Sequence, residues 1–518
     1  MKKRATLYWI ILGVWLLCLA VLTAGTVQIC MRVQGMGAAK DAGAIILLTV
    51  NAVILGVLWL GSLKDLVFSV AYVSMQRRMR RRYREKIRPR DLPEQAPRFV
   101  LLYCTCNDFN ARALAICLKQ RYPNFKAVIL DDSTKPEYRK EIDAFAGQRG
   151  LEVVRRESRA GFKAGNLNNY LKGRTDYDYF VVLDSDEVIP PSFLRRAYAY
   201  FAADKKFGAV QARHVATVGK NVFQRLLGMS VRSNGSTAQV IKNFYGANAL
   251  LGHGMAVSRA CYEATHGFPH VVAEDISFAV DIKNAGYEIV YAPDIRCVEE
   301  FPVDYVALKK RQCKWVQGNL EYMRKYDRDI NTSRMRWFEK MDIKLSHYAL
   351  PVVPVLGLLL VVCTVALGFL GYPIVRYSLF VYAMMFLFLC SPLIPDLFVY
   401  GASRNALLLL PAFVVNIATY ASLAPMMLRT VALGAFGKKA TFSVTPKTST
   451  KFTFGQIVRY SWGSVLFALA VGFFAWWACG SVLPVVLICG GCLLTPVIIL
   501  LSNFELRPRK KKAAKAPA

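Results

Sequence analysis

The stretch "VVLDSDEVIPP", residues 181–191, follows an apolar run with two carboxylates placed two positions apart. The run is typical of a buried strand, and Asp184, Ser185 and Asp186 mark its polar end. One interpretation is an acidic turn after the strand. The other is a pair of hard oxygen ligands for a divalent cation that carries a diphosphate. The rest of the sequence has to decide between them.

Two earlier runs have the same form, "RFVLLYCTCND" at 98–108 and "FKAVILDD" at 125–132. Each is rich in β-branched residues and ends in Asp or Asn, and helical stretches lie between the runs. The alternation predicts a parallel sheet in an α/β domain over residues 99–325. Ligands of such sheets bind beyond the carboxyl ends of the strands, where these polar residues fall.

Apolar segments flank this domain on both sides. Residues 7–31 and 44–73 are each long enough to cross a hydrocarbon layer of about 30 Å. Four later spans are predicted near 347–371, 375–399, 457–480 and 482–503. If residue 347 and the chain end both lie in the cytoplasm, the number of crossings between them is even. We therefore expect the remaining apolar stretch, 405–430, to lie along the membrane interface or to re-enter.

The formal net charge of +32 is concentrated beside the apolar segments. Residues 77–90 and the tail after 503 are basic, as expected for cytoplasmic flanks that attract anionic lipid headgroups. Nucleic-acid binding is not predicted, because Tyr83 is the single aromatic residue within the basic run. The chain is expected to be a multi-pass protein of the plasma (inner) membrane with its α/β domain in the cytoplasm.

Thirteen cysteines and five histidines show no spacing typical of a metal site. The cysteines are scattered through apolar segments and the α/β domain, which fits a reducing cytoplasm better than a disulfide framework. The sequence therefore does not predict a zinc site.

Three acidic pairs fall within the predicted α/β domain: Asp131–Asp132, Asp184–Asp186 and Glu274–Asp275. Taken alone, the first pair suits an acidic turn, and Asp275 suits the N-cap of a helix that Gly286 ends. Together, three carboxylate groups on one sheet edge repel each other unless they share a cation. Their oxygen ligands favour Mg²⁺ or Mn²⁺.

The order of motifs resembles that of the membrane-embedded family 2 glycosyltransferases, which include cellulose, chitin and hyaluronan synthases. The motifs are Asp131–Asp132, "KAGNLNN" at 163–169, the Asp184–Asp186 pair, "AED" at 273–275 and "RQCKW" at 311–315. "FSVTPK" at 442–447 resembles the gating loop of cellulose synthase-like enzymes. The resemblance implies an α/β GT-A (Rossmann-like) cytoplasmic domain inserted between α-helical transmembrane segments.

The same resemblance implies a role for each motif. Asp275, with Glu274, would accept the proton of the acceptor hydroxyl, and Asp186 would hold the metal with Asp184. Trp315 would stack on the acceptor sugar, and His253 would lie on the acceptor side. The predicted substrate-binding residues are Thr105, Asn107, Asp108, Asp131, Asp132, Lys163, Asn166, Asp184, His253, Arg311, Lys314, Trp315, Thr445 and Lys447.

Two positions depart from the family pattern. Where the family has QxxRW, this chain has Arg311 in place of the Gln and Lys314 in place of the Arg. Lysine keeps the charge but loses the bidentate fork with which arginine would grip a phosphate or orient a carboxylate. The base motif reads AED where the family has TED, and this change leaves the carboxylates intact.

The predicted activity is an inverting, metal-dependent transfer that extends a β-linked polysaccharide and moves it across the membrane. UDP-glucose is the leading donor, a growing glycan is the acceptor, and secretion proteins are possible partners. Two alternatives stay open: a non-processive transferase with a lipid acceptor, and a transporter or channel whose domain senses nucleotide sugars.

These inferences divide the chain into six segments. They are two transmembrane helices at 1–75, a basic linker at 76–98, the GT-A domain at 99–325, an interfacial helix region at 326–346, C-terminal transmembrane and interface helices at 347–503 with a gating loop at about 438–452, and a basic tail at 504–518.

Overall fold

A mixed seven-stranded sheet forms the centre of the α/β domain. The computed structural model describes residues 3–33, 35–87, 92–217, 219–372, 378–401, 406–438 and 451–506. The strands are β1 (Phe99–Thr105), β2 (Phe125–Asp131), β3 (Glu152–Val154), β4 (Tyr179–Asp184), β5 (Phe207–Ala216), β6 (Met255–Ser258) and β7 (Glu288–Glu299).

The strand order is β3-β2-β1-β4-β6-β5-β7. The first four strands of this order pair in parallel, as predicted, whereas β6 is antiparallel to both β4 and β5. The expectation of a parallel sheet is therefore wrong for β6, whereas β5 and β7 again pair in parallel. The chain leaves β5, passes through the helix Val222–Tyr245 and re-enters the sheet at the same end, so β6 runs in the opposite direction.

The helices fall into two sets. Those before and within the α/β domain are α1 (Thr6–Met31), α2 (Ala38–Lys86), α3 (Ala111–Cys117), α4 (Pro136–Arg149), α5 (Phe162–Leu171), α6 (Phe193–Ala203), α7 (Val222–Tyr245), α8 (Arg259–Ala264), α9 (Glu274–Asn284) and α10 (Tyr305–Thr332). Those after it are α11 (Trp337–His347), α12 (Ala349–Phe369), α13 (Leu379–Cys390), α14 (Ile394–Tyr400), α15 (Leu409–Ala435), α16 (Phe454–Cys479), α17 (Val486–Leu493) and α18 (Thr495–Leu501).

Both faces of the sheet are buried. In β1, Leu101 and Tyr103 belong to one apolar cluster, and Val100 and Leu102 belong to another on the opposite face. Successive side chains of a strand point to opposite faces, so a strand covered on both sides is apolar throughout. The first cluster also contains Tyr83 of the helix that begins at Ala38, and its Oη atom donates a hydrogen bond to the Tyr291 carbonyl oxygen of β7 at 3.2 Å, so this helix packs against the sheet.

The register of the central strands aligns their polar ends. Thr105 pairs with Asp131 across β1 and β2, and Cys104 pairs with Asp184 across β1 and β4. Residues that follow these three strands therefore meet at one edge of the sheet, as the sequence predicts.

Six helices are long and apolar enough to cross a membrane among the described residues: Thr6–Met31, Ala38–Arg81, Ala349–Phe369, Ala406–Ala435, Phe454–Cys479 and Leu483–Leu501. A seventh candidate, Leu379–Cys390 with Ile394–Tyr400, is bent by 59°. Ala406–Ala435 is thus long enough to span, and the interfacial or re-entrant position expected of 405–430 stays a prediction. The bend itself lies in the preceding apolar segment, between Cys390 and Ile394.

Two of the predicted segment boundaries fall inside helices. Helix α2 continues to Lys86, so the first part of the basic segment 76–98 extends a helix that begins in the apolar region. Helix α10 runs through residue 325, the expected end of the α/β domain. The long helices thus connect the apolar parts of the chain to the sheet without a flexible joint at either position.

Asp281 of α9 ties this helix to α10 and generates a prediction about stability. Its carboxylate accepts a hydrogen bond from Tyr326 Oη at 3.3 Å, and burial raises its pKa to about 6. The folded protein thus binds this proton more tightly than the unfolded chain, and the free energy of unfolding falls as pH rises from about 4 to about 6. We expect Asp281→Asn to raise the free energy of unfolding at pH 7.5 by on the order of 2 kcal/mol.

Asp327→Asn is the control of opposite sign. The hydrogen bond from Lys344 lowers the pKa of Asp327, so this carboxylate stabilises the fold once it is ionised and its loss should destabilise at pH 7.5. Chemical unfolding of both purified variants between pH 4 and pH 8 checks the two signs. A stability of Asp281→Asn equal to or below that of the unmodified protein at pH 7.5 would contradict the burial of a charged Asp281.

Candidate active site

Asp184, at the carboxyl end of β4, is paired with a lysine from the neighbouring helix. Lys163 Nζ, in the first turn of α5, contacts the Asp184 carboxylate and donates a hydrogen bond to the carbonyl oxygen of Gly252 at 2.8 Å. Burial alone would lower the pKa of Lys163, but Asp184 outweighs it and raises that pKa above the ordinary value. A positive charge is thus fixed beside the strand end where the sequence predicts a diphosphate.

Glu274 and Asp275 begin helix α9 on the other side of the Gly252 loop. The N-cap of α9 is Ala273, and no side chain caps it, so the N-cap interpretation of Asp275 is wrong. The Asp275 carboxylate faces Gly252, where a Cβ atom would lie 3.3 Å from Oδ2. Burial raises the pKa of both acids, that of Glu274 to about 7, and the charge of Asp275 adds to the effect on Glu274.

Helix α10 carries the "RQCKW" motif, in which Arg311, Lys314 and Trp315 are the predicted site residues. Burial lowers the pKa of Lys314, while Asp184 and Glu274 act in the opposite direction, so its ammonium group shares the field of the same carboxylates. The Arg311 guanidinium lies 4.5 Å from the Trp315 ring centroid, a cation–π contact. The Trp315 side chain is nevertheless 44% exposed and leaves one surface open to a ligand.

The carboxylates of Asp131 and Asp132 are held by two arginines that the sequence analysis did not single out. Arg155 Nε donates to Asp131 at 2.7 Å, and Arg156 donates to both oxygens of Asp132 at 2.9 and 2.7 Å. The sequence signal for them was the dipeptide Arg155–Arg156 directly after β3. Because β3 pairs in parallel with β2, both strands end at the same edge of the sheet. These two acids are therefore neutralised within the protein.

The residues after β1 connect three loops. Asp108 accepts hydrogen bonds from Thr105 Oγ1 at 3.0 Å and from Ser185 Oγ at 2.6 Å, which joins the ends of β1 and β4. Asn107 has a φ of 59° and accepts from the backbone N–H of Thr134 at 2.9 Å, which joins β1 to the loop after β2. These hydrogen bonds connect the loops at this edge of the sheet within the protein itself.

The remaining predicted site residues lie in three different settings. Asn166 is buried in α5, and its Oδ1 atom has no hydrogen-bond partner among the described residues. Asp186 lies in the turn after β4. Thr445 and Lys447 lie outside the described residues.

His253 lies in a glycine-flanked loop between β4 and a second group of acids. Its Nε2 atom is 3.9 Å from Asp184 and 3.2 Å from Glu299, and its Nδ1 atom is 3.2 Å from Glu187. Burial alone would lower the pKa of His253, but Glu187 and Asp184 raise it well above the ordinary value. The sequence analysis missed Glu187, Glu299 and His214. The ring of His214 stacks on that of His253, and the two ring centroids are 4.3 Å apart.

Comparisons with known proteins identify the class to which part of the chain belongs. Residues 179–433 match the model of the "Glycosyl transferase family group 2", a range that covers the end of the Asp184 strand, α9, α10 and part of the apolar region. This part of the chain is a family 2 glycosyltransferase domain, so the protein is a glycosyltransferase enzyme, and it also has helices of transmembrane length.

Among its curated relatives, the chain is similar to proteins of glucan synthesis. It is 27% identical over 253 residues to "Glucans biosynthesis glucosyltransferase H" of two Vibrio cholerae serotype O1 strains, which covers 45% of this chain. The matched region is 34% of the length of those relatives, so the chain spans about a third of each.

Among solved structures, the chain is similar to a mannosyltransferase of Pyrobaculum calidifontis in complex with GDP-Man and Mn²⁺. The identity is 19%, the TM-score is 0.45, and the match covers 72% of this chain and 99% of that one. A second similar structure is S. aureus TarS 1-349 in complex with UDP, with 15% identity, a TM-score of 0.35 and coverage of 59% and 93%.

Gly254 offers a test of how tightly this region is packed. It has a φ of +57°, and a Cβ atom there would lie 2.3 Å from Glu187 Oε1 and 2.9 Å from His214 Nε2. We expect Gly254→Ala to abolish transfer activity and to lower the melting temperature clearly, because both the backbone and its buried neighbours resist the methyl group.

Gly173→Ala is the matched control, since Gly173 has a φ of +76° but no atom within 4 Å of the added Cβ. It should lose only about 1 kcal/mol of stability and keep its activity. Thermal unfolding and a transfer assay on both variants make the comparison. Equal effects of the two substitutions would show that the crowding around Gly254 does not matter.

Proposed function

We propose that the enzyme transfers a sugar from a UDP-sugar to a growing glycan and inverts the anomeric carbon. The observation that carries the proposal is the convergence of the Lys163–Asp184 pair, the Glu274–Asp275 acids and Lys314 beside the exposed face of Trp315. Cations, bases and an aromatic surface are the groups that a diphosphate leaving group, an acceptor hydroxyl and a sugar ring require.

Asp184 and Asp186 would hold a divalent cation, Mg²⁺ or Mn²⁺, at the end of β4. The donor set fits, because both ligands are carboxylates and the Asp184 side chain is 36% exposed beside the loop. When bound, the cation would neutralise part of the charge that builds on the departing diphosphate. Lys163 and Lys314 would add positive charge to the same place from the protein itself.

Asp275 would take the proton from the acceptor hydroxyl as it attacks the anomeric carbon. Its raised pKa and that of Glu274 bring a carboxylate base closer to neutral pH, where proton transfer is most efficient. A single displacement of this kind converts an α-linked donor into a β-linked product without a covalent intermediate.

Trp315 would bind the terminal sugar of the acceptor. Arg311 lies over its ring and Lys314 precedes it on the same helix, so the platform and the cationic site move together. The similarity to glucosyltransferases of glucan synthesis supports UDP-glucose as donor and a β-glucan as product. The six helices of transmembrane length among the described residues support release of the polymer through the membrane from a cytoplasmic active site.

A non-processive transferase that glycosylates a lipid is the second candidate, because the apolar helices would also hold a lipid acceptor. A transporter that senses nucleotide sugars is not favoured, because the domain is that of an enzyme. The length of the product distinguishes the first two activities.

The acids can be tested by UDP release from the full chain in nanodiscs. UDP-glucose, UDP-N-acetylglucosamine, UDP-glucuronate and GDP-mannose would be offered singly and in pairs with Mn²⁺ or Mg²⁺. We expect metal-dependent turnover with UDP-glucose. Asp275→Asn should lower the rate by about 10²–10⁴-fold with a melting temperature near that of the unmodified protein.

Glu274→Gln and Asp186→Ala complete the set. A larger loss in Glu274→Gln than in Asp275→Asn would transfer the role of base to Glu274, whose pKa is about 7. Asp186→Ala should abolish the metal dependence. Turnover that survives in all three folded variants would refute the proposed site.

Trp315 can be tested against a tryptophan of similar exposure, Trp337, which is 40% exposed and packs on Trp9. We expect Trp315→Ala to shorten the product and raise the KM for the acceptor about tenfold, from the loss of one stacking contact. Trp337→Ala should leave product length unchanged. A single added sugar in the lipid extract of the unmodified enzyme would exclude the polymerase function and favour the lipid acceptor.

A further inference from the structure

A buried cluster behind the Gly252 loop contains metal-ligating side chains that the proposed transfer reaction does not use. Glu187, His214 and His253 each offer a ligand atom, and these atoms lie within 4.8 Å of one another. We propose that this cluster binds one zinc ion, or a divalent transition metal of similar preference, separate from the cation of the nucleotide sugar.

The ring nitrogens of the cluster divide into two sets. His214 Nε2 and His253 Nδ1 face Glu187, at 3.9 Å from Oε1 and 3.2 Å from Oε2. The other two nitrogens, His214 Nδ1 and His253 Nε2, face Glu299 Oε2 at 3.6 and 3.2 Å. When the proton of each neutral ring lies on the nitrogen that faces Glu299, both N–H groups point to Glu299, and both lone pairs point to the space beside Glu187.

This is the pattern by which proteins orient histidine ligands. A ligating imidazole donates its second N–H group to a carboxylate, which fixes the tautomer and the ring plane. Glu299 would serve both rings in this way, and Glu187 would complete the first set of ligands.

The buried carboxylate of Glu187 supports a cation at this position. The residue is fully buried, and neither carboxylate oxygen receives a well-formed hydrogen bond from the described residues, although the Cys297 thiol lies close. Buried carboxylates are paired or coordinate metals. Two neutral histidines would leave Glu187 and Glu299 with two negative charges, which a divalent cation balances.

Gly254 leaves room at the same place. A Cβ atom at Gly254 would contact Glu187 Oε1, His214 Nε2 and, at 3.3 Å, Cys297 Sγ. Nitrogen, carboxylate and sulfur donors around one point suit zinc, whereas the all-oxygen pair Asp184 and Asp186 suits Mg²⁺ or Mn²⁺. The chemistry of the two donor sets therefore separates the two cations.

Binding of a metal at His214 Nε2 requires that this atom carry no proton. This atom lies 3.0 Å from the carbonyl oxygen of His253 and 3.2 Å from Gln211 Nε2. In the metal-bound form its proton resides on Nδ1, toward Glu299, and the Gln211 amide continues to donate to the His253 carbonyl oxygen at 2.9 Å. The side chain of Gln211 thus keeps the loop in place when the His214 proton moves.

The test is the metal content of the full chain, purified in detergent through a tag without histidine and dialysed against metal-free buffer. Elemental mass spectrometry should find about one zinc ion per chain in the unmodified protein. His214→Gln and Glu187→Gln should lose it, and Glu299→Gln should bind zinc about 10–100-fold more weakly. Cobalt exchanged into the site should give the visible absorption of a four-coordinate ion, which His214→Gln abolishes.

Two controls separate this site from the others. Asp186→Ala removes the proposed ligand of the donor cation, and His347→Gln removes a histidine that lies in α11 against Tyr322. Both should keep their zinc. Loss of zinc from Asp186→Ala would assign the ion to the donor site and overturn the proposal.

The zinc proposal would also be overturned if the folded unmodified protein takes up no transition metal after incubation with equimolar Zn²⁺. The cluster would then be a network of ion pairs only. His214→Gln keeps the test valid if Glu187→Gln does not fold. Metal content does not depend on turnover, so failure of this proposal is distinguishable from failure of the proposed transfer activity.

Discussion

The parallel pairing of β1 with both β2 and β4 is the constraint on which the site depends. Because Cys104 pairs with Asp184 and Thr105 with Asp131, the chain has to place its loops at one edge of the sheet. The short loops from this edge then approach α5 and α9, and the lysine and the acids on these helices come together. A register slip of one residue would turn the Asp184 carboxylate toward the opposite face.

Charge balance explains why so many acids are tolerated in one place. Asp131 and Asp132 are paired with arginines, and Asp184 is paired with Lys163. Glu274 and Asp275 have no such direct partner among the described contacts, and burial raises their pKa instead. The acids therefore divide into those held in ion pairs and those whose pKa is raised by burial.

Local patterns in the sequence predicted the first strands, their polar ends, the acidic pairs and most of the apolar helices. Those features depend on neighbours in the chain and on period. The antiparallel β6, the arginine partners of Asp131 and Asp132, and the cluster of Glu187, His214 and His253 depend on contacts between distant segments. A spacing rule for zinc ligands finds nothing here, because 27 and 39 positions separate the three residues along the chain.

Helix α10 carries Trp315 and is fastened to α15 along its length. Tyr305 Oη contacts Ser422 Oγ at 2.9 Å, Cys313 Sγ lies 3.4 Å from Thr430 Oγ1, and Arg324 donates to the Gly434 carbonyl oxygen at 2.8 Å. A helix fixed at three points along its axis cannot tilt independently of its neighbour. In a bilayer, any change in the tilt of α15 would therefore move α10 and the exposed ring of Trp315 with it.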